Sequence, residues 1–417
     1  MRILFVLPEF PFPPVSGGRV KVFNILRYLA PRHDCDVFCL GVADQTTLDG
    51  FKIAIPDIGS VKFFPHERVA RNVFFVVAGI LLISTPPSIA RCANRTLARR
   101  LSELAATSRY DVIHYDIVNM VQYHQDRVAS VHSPNDATSL VYARHSQAST
   151  SLFKRMRFSL LSKLLRRYED RRYAAFTKVH VVSEADRSYL QARTPTADIS
   201  VIPISSGFTS ELPTARNATR EYELPASSLT IAICGNLSDL SIARGFDRIL
   251  TGVLPGIIAR FPDIRVRVLG RVGLSRVQER MRSFTCIEYN DRVDSFEAFV
   301  TQAEVILIPD ETGAPGPKTR VVQAMALGKT VLGSVNAFEG IPIQDGVHGK
   351  VYRSFEECLS GLTQLLSCQK TRWNLGMSAA KLAAREYALD IVGPKYEELY
   401  RQATEKFHKR SPPMLSG

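Results

Sequence analysis

The stretch Gly313-Ala314-Pro315-Gly316-Pro317-Lys318-Thr319-Arg320-Val321-Val322-Gln323-Ala324-Met325-Ala326-Leu327-Gly328-Lys329-Thr330-Val331-Leu332 follows the apolar run Val305-Ile306-Leu307-Ile308-Pro309-Asp310. It reads as a strand, a Gly/Pro loop, a helix, a turn at Gly328 and a further strand. A loop feeding a helix after a buried strand is where α/β proteins hold anionic ligands. Lys318 stands at the start of that helix and Arg320 follows it. A cation at the positive end of a helix macrodipole costs roughly 0.3–1 kcal/mol. Two cations there fit an anion such as a diphosphate; a solvated basic turn is the plainer alternative.

The same alternation extends through the chain. Near-continuous Val/Ile/Leu/Phe runs at Arg2–Leu7, Cys35–Leu40, Val61–Phe64, Val112–Tyr115, Val128–Val131, Lys178–Val182 and Val201–Ile204 read as parallel strands buried on both faces. Helical stretches such as Gly18–Leu29 and Thr96–Thr107 separate them. After a polar linker, Ser206–Ser228, a second series follows: Leu229–Cys234, Ile264–Leu269, Cys286–Tyr289, Glu304–Pro309 and Thr330–Ser334. Helices are expected there at Gly245–Phe261, Val277–Ser283, Ser295–Gln302, Lys318–Leu327, Ser354–Cys368 and Lys370–Glu386. The fold class is α/β, with two doubly wound Rossmann-like domains at 1–205 and 206–392. A helix over 393–410 is expected to pack back on the first domain, with a disordered tail at 411–417.

The chain has 417 residues and a net charge of +13. Through Ile204 there are 27 Lys and Arg against 17 Asp and Glu; beyond it there are 26 against 23. The first half is therefore the one drawn to an anionic surface. Seven cysteines, an odd number with no CxxC pair, suit a reducing compartment better than disulfides or zinc. Five apolar residues, Ile3 to Leu7, end at Pro8, so no signal peptide is expected. The longest apolar run, Val73–Ile83, is about half the length of a membrane span. A cytoplasmic location is the expectation.

Some motifs fail on inspection. Gly328-Lys329-Thr330 resembles the end of a Walker loop, but Gln323 stands where the earlier glycine is required. Asp34-Cys35-Asp36 resembles a metal-binding DxD but opens the second strand, so no metal site is assigned. The loop Pro13-Pro14-Val15-Ser16-Gly17-Gly18-Arg19 after the first strand is not GxGxxG, which argues against a nicotinamide cofactor. Its glycines let the backbone come close to a ligand.

In order and spacing, these pieces resemble a GT-B glycosyltransferase, specifically glycosyltransferase family 4, also called glycosyl transferases group 1. The resemblance covers nearly the whole chain. It rests on the proline-rich loop ending in Gly17-Gly18, on the signature from Gly316 to Leu332, and on Phe338-Glu339-Gly340-Ile341 downstream. It implies a retaining, metal-independent transfer of a sugar from a UDP- or GDP-linked donor to a hydroxyl of a sugar or lipid-linked acceptor, with no further cofactor. It implies Lys318, Arg244 and His132 as catalytic residues. Donor binding falls to Gly17, Gly18, Gly235, Asn236, Arg271, Glu311, Gly316, Arg320 and Gln323. His114 and Asp116, ending another strand, are cleft candidates for acceptor binding, and Asp136 is a further carboxylate that could bind an acceptor hydroxyl. The family often has Arg where Asn236 stands and Lys where Arg244 stands. It usually has Glu where Gln323 stands, and another Glu eight residues earlier, at Pro315. A neutral acceptor bonds ribose hydroxyls less strongly than a carboxylate. A non-catalytic binding relative and a nucleotide-sugar epimerase are the alternatives.

The segment Phe153–Arg172 carries eight Lys or Arg, with Phe153, Met156, Leu160, Leu161, Leu164 and Tyr168 at helical spacing. The commoner reading turns the apolar residues to a core. The functional reading brings the helix to an anionic membrane surface. No recognition module accompanies the charge, so nucleic acid is not an expected partner.

Overall fold

The structure, a computed structural model, describes residues 1–67, 85–107, 109–149, 151–213, 229–293, 295–311 and 316–410. The apolar run Val73–Ile83, most of the expected linker, Pro315 and the tail lie outside the described residues. The chain forms two compact units. The first contains Met1–Pro203, Gly316 and the C-terminal stretch from Val392; the second contains Ile204–Gly313 and Pro317–Ile391.

The first unit is built on a seven-stranded parallel sheet. Its strands are β1 (Arg2–Leu7), β2 (Asp34–Leu40), β3 (Val61–Phe64), β4 (Val112–Asp116), β5 (Ala129–Ser133), β6 (Lys178–Val181) and β7 (Ile199–Val201), in the order β3-β2-β1-β4-β5-β6-β7. Apolar side chains alternate between two cores. Leu4, Val6, Ile113 and Tyr115 enter one; Ile3, Phe5, Leu7, Val112 and Val131 enter the other. Burial on both faces is why the strands read as unbroken apolar runs. The order reverses between β1 and β4, where a doubly wound sheet opens a crevice at its strand tips.

Four helices of this unit are α1 (Gly17–Leu29), α2 (Arg95–Ala106), α3 (Thr138–Ala148) and α4 (Leu152–Arg172). Ser16 caps α1, its hydroxyl accepting from the Arg19 amide at 3.4 Å. Asn94 caps α2 in the same way through the Leu97 amide. The C-terminal helix runs Leu389–Arg410. From Val392 onward it buries Val392, Tyr396, Leu399, Tyr400 and Ala403, one helical face, in the second core of the first unit. Gly393 allows this approach, since a Cβ there would lie 2.2 Å from the Tyr28 ring.

The second unit has six parallel strands: β8 (Thr230–Cys234), β9 (Arg265–Leu269), β10 (Ile287–Asn290), β11 (Val305–Ile308), β12 (Thr330–Ser334) and β13 (Lys350–Tyr352). Their order is β10-β9-β8-β11-β12-β13. The edge strand β13 is three residues long and is absent from the sequence expectation. The expected helix Gly245–Phe261 is two helices, α5 (Leu240–Gly252) and a short one at Leu254–Arg260. Pro255 lies in the first turn of the latter, because proline has no amide to continue a helix. The helix of the signature, α6, spans Thr319–Ala326.

Glycines bring backbones together at the tips of this second sheet. A Cβ on Gly245 in α5 would lie 1.8 Å from the Pro309 carbonyl oxygen at the end of β11. Gly270 has φ +134° and would place a Cβ 1.7 Å from the Gly235 carbonyl. Gly245→Ala is expected to lower the stability of the second unit by about 1–3 kcal/mol, although alanine favours helix by about 1 kcal/mol. Urea unfolding measures this. Wild-type stability in the variant contradicts the described packing.

Candidate active site

In the first unit, chemistry collects where β1 and β4 part. A cavity there is lined by Pro8, Glu9 and Pro11 after β1, by Gly18, Arg19 and Val22 of α1, by Asp116 and Ile117 at the tip of β4, and by Asn135 after β5. Gly18 is needed at this wall, since a Cβ would lie 2.9 Å from Asn135 Nδ2. Glu9 and Arg19 form an ion pair at its rim, 2.8 Å apart. Ile117 has φ 50°. A β-branched residue in the left-handed region stores strain of about 1–3 kcal/mol, and here it follows directly on the carboxylate.

Asp116 is almost fully buried and pairs with the equally buried Lys21 of α1, Nζ to Oδ1 2.7 Å. Lys21 Nζ also donates to the Ser133 carbonyl at 2.9 Å and to Ser133 Oγ at 3.1 Å. Ser133 Oγ lies 2.8 Å from His180 Nδ1. His180 Nε2 donates to the Ile202 carbonyl at 2.9 Å, so Nδ1 accepts from the serine when the ring is neutral. Burial pushes the Asp116 carboxyl up, but Lys21 and His114 outweigh that and hold it below its ordinary value. The cluster thus fixes a carboxylate anion at the cavity wall. Lys21, Ser133, Asn135, Ile117 and His180 escaped the sequence reading. The available signal was Lys21 itself, a cation on the buried face of an apolar helix.

The candidate acceptor residues are not equivalent. Asp116 lines the cavity, and Asp136 lies half-buried in the loop after β5. His114 is fully buried behind Asp116: its Nε2 is 3.9 Å from Asp116 Oδ1 and its Nδ1 is 2.8 Å from the Tyr400 hydroxyl. It therefore supports the carboxylate from within the core.

For His132 the element boundary needs correction. The strand β5 runs to Ser133, beyond the apolar run that marked it in the sequence, so His132 lies inside the strand. Its ring is fully buried on the opposite face from Ser133, with centroids 4.6 Å from Tyr173 and 5.2 Å from Phe176. Nδ1 donates to the Tyr115 carbonyl at 3.0 Å. Nε2 is left a buried acceptor with no hydrogen-bond partner among the described residues.

In the second unit, Lys318 is the N-cap residue of α6, extended at φ −87°, ψ 118°. Arg244 sits half-buried in α5, and Gln323 lies half-buried in α6. Gly316, two residues before Lys318, has φ +87° and is grouped with the first unit. Gly235 and Asn236 follow β8, and Asn236 Oδ1 accepts from the Ser238 amide at 3.2 Å, shaping that loop. Arg271 is exposed beyond β9, and its carbonyl accepts from Ser238 Oγ at 3.2 Å. Two expected ligand contacts are engaged within the unit. The Arg320 guanidinium forms a two-point pair with Asp310, 2.5 Å to Oδ1, because the buried Asp310 carboxylate needs a counter-charge. Glu311 accepts from Arg248 at 2.9 Å. Among the described residues, no group of three or more His, Cys, Asp or Glu side chains is arranged to hold a metal ion, and no helix is long and apolar enough to cross a membrane.

Residues 15–204 match the model of Glycosyltransferase Family 4. Over 166 residues the chain is 25% identical to a phosphatidyl-myo-inositol mannosyltransferase of Propionibacterium freudenreichii subsp. shermanii. That match spans 39% of this chain and 42% of the relative, about two fifths of its length. Sucrose-phosphate synthase from Thermosynechococcus elongatus is similar with a TM-score of 0.69 at 14% identity, over 96% of this chain and 99% of that one. Anabaena HepE in complex with UDP and glucose gives 0.66 at 13%, over 96% and 99%. TarM gives 0.68 at 8%, again over 96% and 99%. Two parallel Rossmann-like sheets with these neighbours define a GT-B fold, the architecture of a large class of glycosyltransferases. Within that class, the first unit of the chain is similar to Glycosyltransferase Family 4, whose model its residues 15–204 match.

The buried imidazoles make the first unit acid-sensitive. Burial, the main cause in each, pushes His132 and His180 down to about 3 and His124 down to about 4. An unfolded histidine titrates near 6.5. Between these values the unfolded chain binds more protons, so stability is full above about pH 6.5 and falls as pH drops through the window. At pH 5 each ring costs about 2 kcal/mol. Asp116 acts in the same sense at lower pH, because its folded carboxyl is held below the unfolded value. The unfolding midpoint of the first unit is expected to drop steeply from pH 6.5 to 5, and His132→Phe to make that slope shallower by one proton. Denaturant titrations at several pH values check both. A pH-independent midpoint contradicts neutral buried rings.

Proposed function

We propose that the chain transfers a sugar from a nucleoside-diphosphate sugar to a hydroxyl acceptor, with retention of anomeric configuration and without a metal. The match of residues 15–204 to Glycosyltransferase Family 4 carries this reading. The UDP and UDP-glucose complexes of Anabaena HepE, a neighbour of the same fold, favour a nucleotide-sugar donor. In this proposal Lys318 and the amides at the start of α6 take the negative charge that grows on the leaving diphosphate, and Arg244 adds a planar fork of donors. Such donors act on the transition state because the charge is largest there. Arg320, already paired with Asp310, keeps the tip of β11 in place beside them.

In the first unit, Gly18 gives backbone access to the cavity, and Asp116 accepts a hydrogen bond from a hydroxyl presented there. Lys21 keeps that carboxylate ionised and still, while His114 backs it from the core. A sugar or lipid-linked acceptor approached from a membrane surface is the finer part of the same proposal.

Lys318→Ala is expected to lower kcat/KM with the cognate donor by about 10²–10³-fold, leaving the unfolding midpoint unchanged. Wild-type turnover in that variant removes Lys318 from the mechanism. A thermal-shift screen of UDP and GDP tests the donor class, since nucleotide at 100 times its Kd stabilises by about 2.7 kcal/mol. Turnover of donor with no acceptor points to an epimerase, and no response to any nucleotide points to a non-catalytic relative.

A further inference from the structure

The basic helix α4 divides its apolar residues: Leu165 and Tyr168 enter a core, Leu161 and Leu164 are half-buried, and those of its N-terminal half face outward. Leu152, Phe153, Met156 and Leu160 are 75%, 76%, 72% and 59% exposed. Their spacing of i, i+1, i+4 and i+8 puts them on one face of the helix. The opposite face supplies the burial, through Leu165, Tyr168 and Glu169. The exposed stripe is not a loosely placed end. Phe158 packs against Tyr142 and His145 of α3, with ring centroids 6.0 and 5.7 Å apart, and this fixes which way Phe153 and Met156 point.

The charge on the helix has one sign outward. Its only two acidic residues, Glu169 and Asp170, are both engaged by Arg193, at 3.0 and 2.7 Å. Among the described residues, no salt bridge takes Lys154, Arg155, Lys163, Arg166 or Arg167. The face that carries Met156 and Leu160 continues through Lys163 and Arg167 at i+3 and i+7 from Leu160. An apolar wedge therefore runs directly into a cationic track. A second copy of the chain would meet this track with the same positive charge. A neutral apolar partner would leave the cations without counter-ions. An anionic lipid surface satisfies both parts, taking the apolar side chains into the acyl boundary and the cations against headgroup phosphates.

We infer that α4 is a membrane-docking face, with Phe153, Met156 and Leu160 inserted into an anionic bilayer and Lys163, Arg166 and Arg167 held at its headgroups. The inference stands on α4 alone and does not depend on the transfer reaction.

The test is co-sedimentation of the full chain with vesicles of phosphatidylcholine alone or with phosphatidylglycerol added. Binding is expected only to the anionic vesicles and falls as salt is raised. Phe153→Ser with Met156→Ser lowers partitioning at least about tenfold. Lys163→Glu with Arg166→Glu and Arg167→Glu lowers it at least about a hundredfold. All five positions tolerate these changes without loss of the unfolding midpoint, measured in parallel. Lys318→Ala binds vesicles as the wild type does, so an inactive enzyme and an unbound helix are separate results. The inference is overturned by equal binding to neutral vesicles, by no binding, or by binding that neither set of substitutions weakens. A dimer that Phe153→Ser dissolves overturns it too, assigning the stripe to a second copy.

Discussion

The tips of the first sheet depend on one buried ion pair. Lys21 and Asp116 come from different elements, the helix after β1 and the end of β4, and they meet where the strand order reverses. Neither charge is stable there alone, because desolvating one ion without its partner costs several kcal/mol. Together they tie α1 to β4, and through Ser133 to β5 and β6. The carboxylate that results is held by the lysine and lines the cavity. A surface carboxylate would be mobile and screened. This one is held still in a medium of low dielectric, where a hydroxyl bonded to it is positioned strongly.

The second sheet reaches similar order by a different route. Its tips are crowded with backbone. Gly235, Gly245 and Gly270 each sit where a side chain would strike another segment. Beside this close packing, the Arg320–Asp310 pair anchors α6 to the end of β11. The helix that Lys318 caps is thus tied to the sheet through Arg320, and its order does not depend on a ligand.

The fold was legible because burial on both faces writes itself as apolar runs. All seven strands of the first unit and five of the six in the second lie within three residues of those runs. β13 was missed because a three-residue edge strand leaves no run to read. The site was legible only in part. Gly18 and Asp116 meet at one cavity, but nothing in the linear sequence pairs Lys21 with Asp116, since that pairing is made by the crossover of α1. His132 fell just past a strand in the sequence reading because the apolar run Val128–Val131 stops before it. The backbone continues as a strand, and polar side chains inside it are buried by the layers above and below. The face of α4 was ambiguous for the opposite reason: helical spacing shows that a stripe exists and says nothing of which side the core lies on.

The hydrogen bond between Tyr400 and His114 joins residues 286 positions apart. The helix segment that carries Tyr400 follows the whole second unit in the chain. Domains commonly fold in the order in which they leave the ribosome. Here the half that emerges first waits for one of its walls until the second unit has been made.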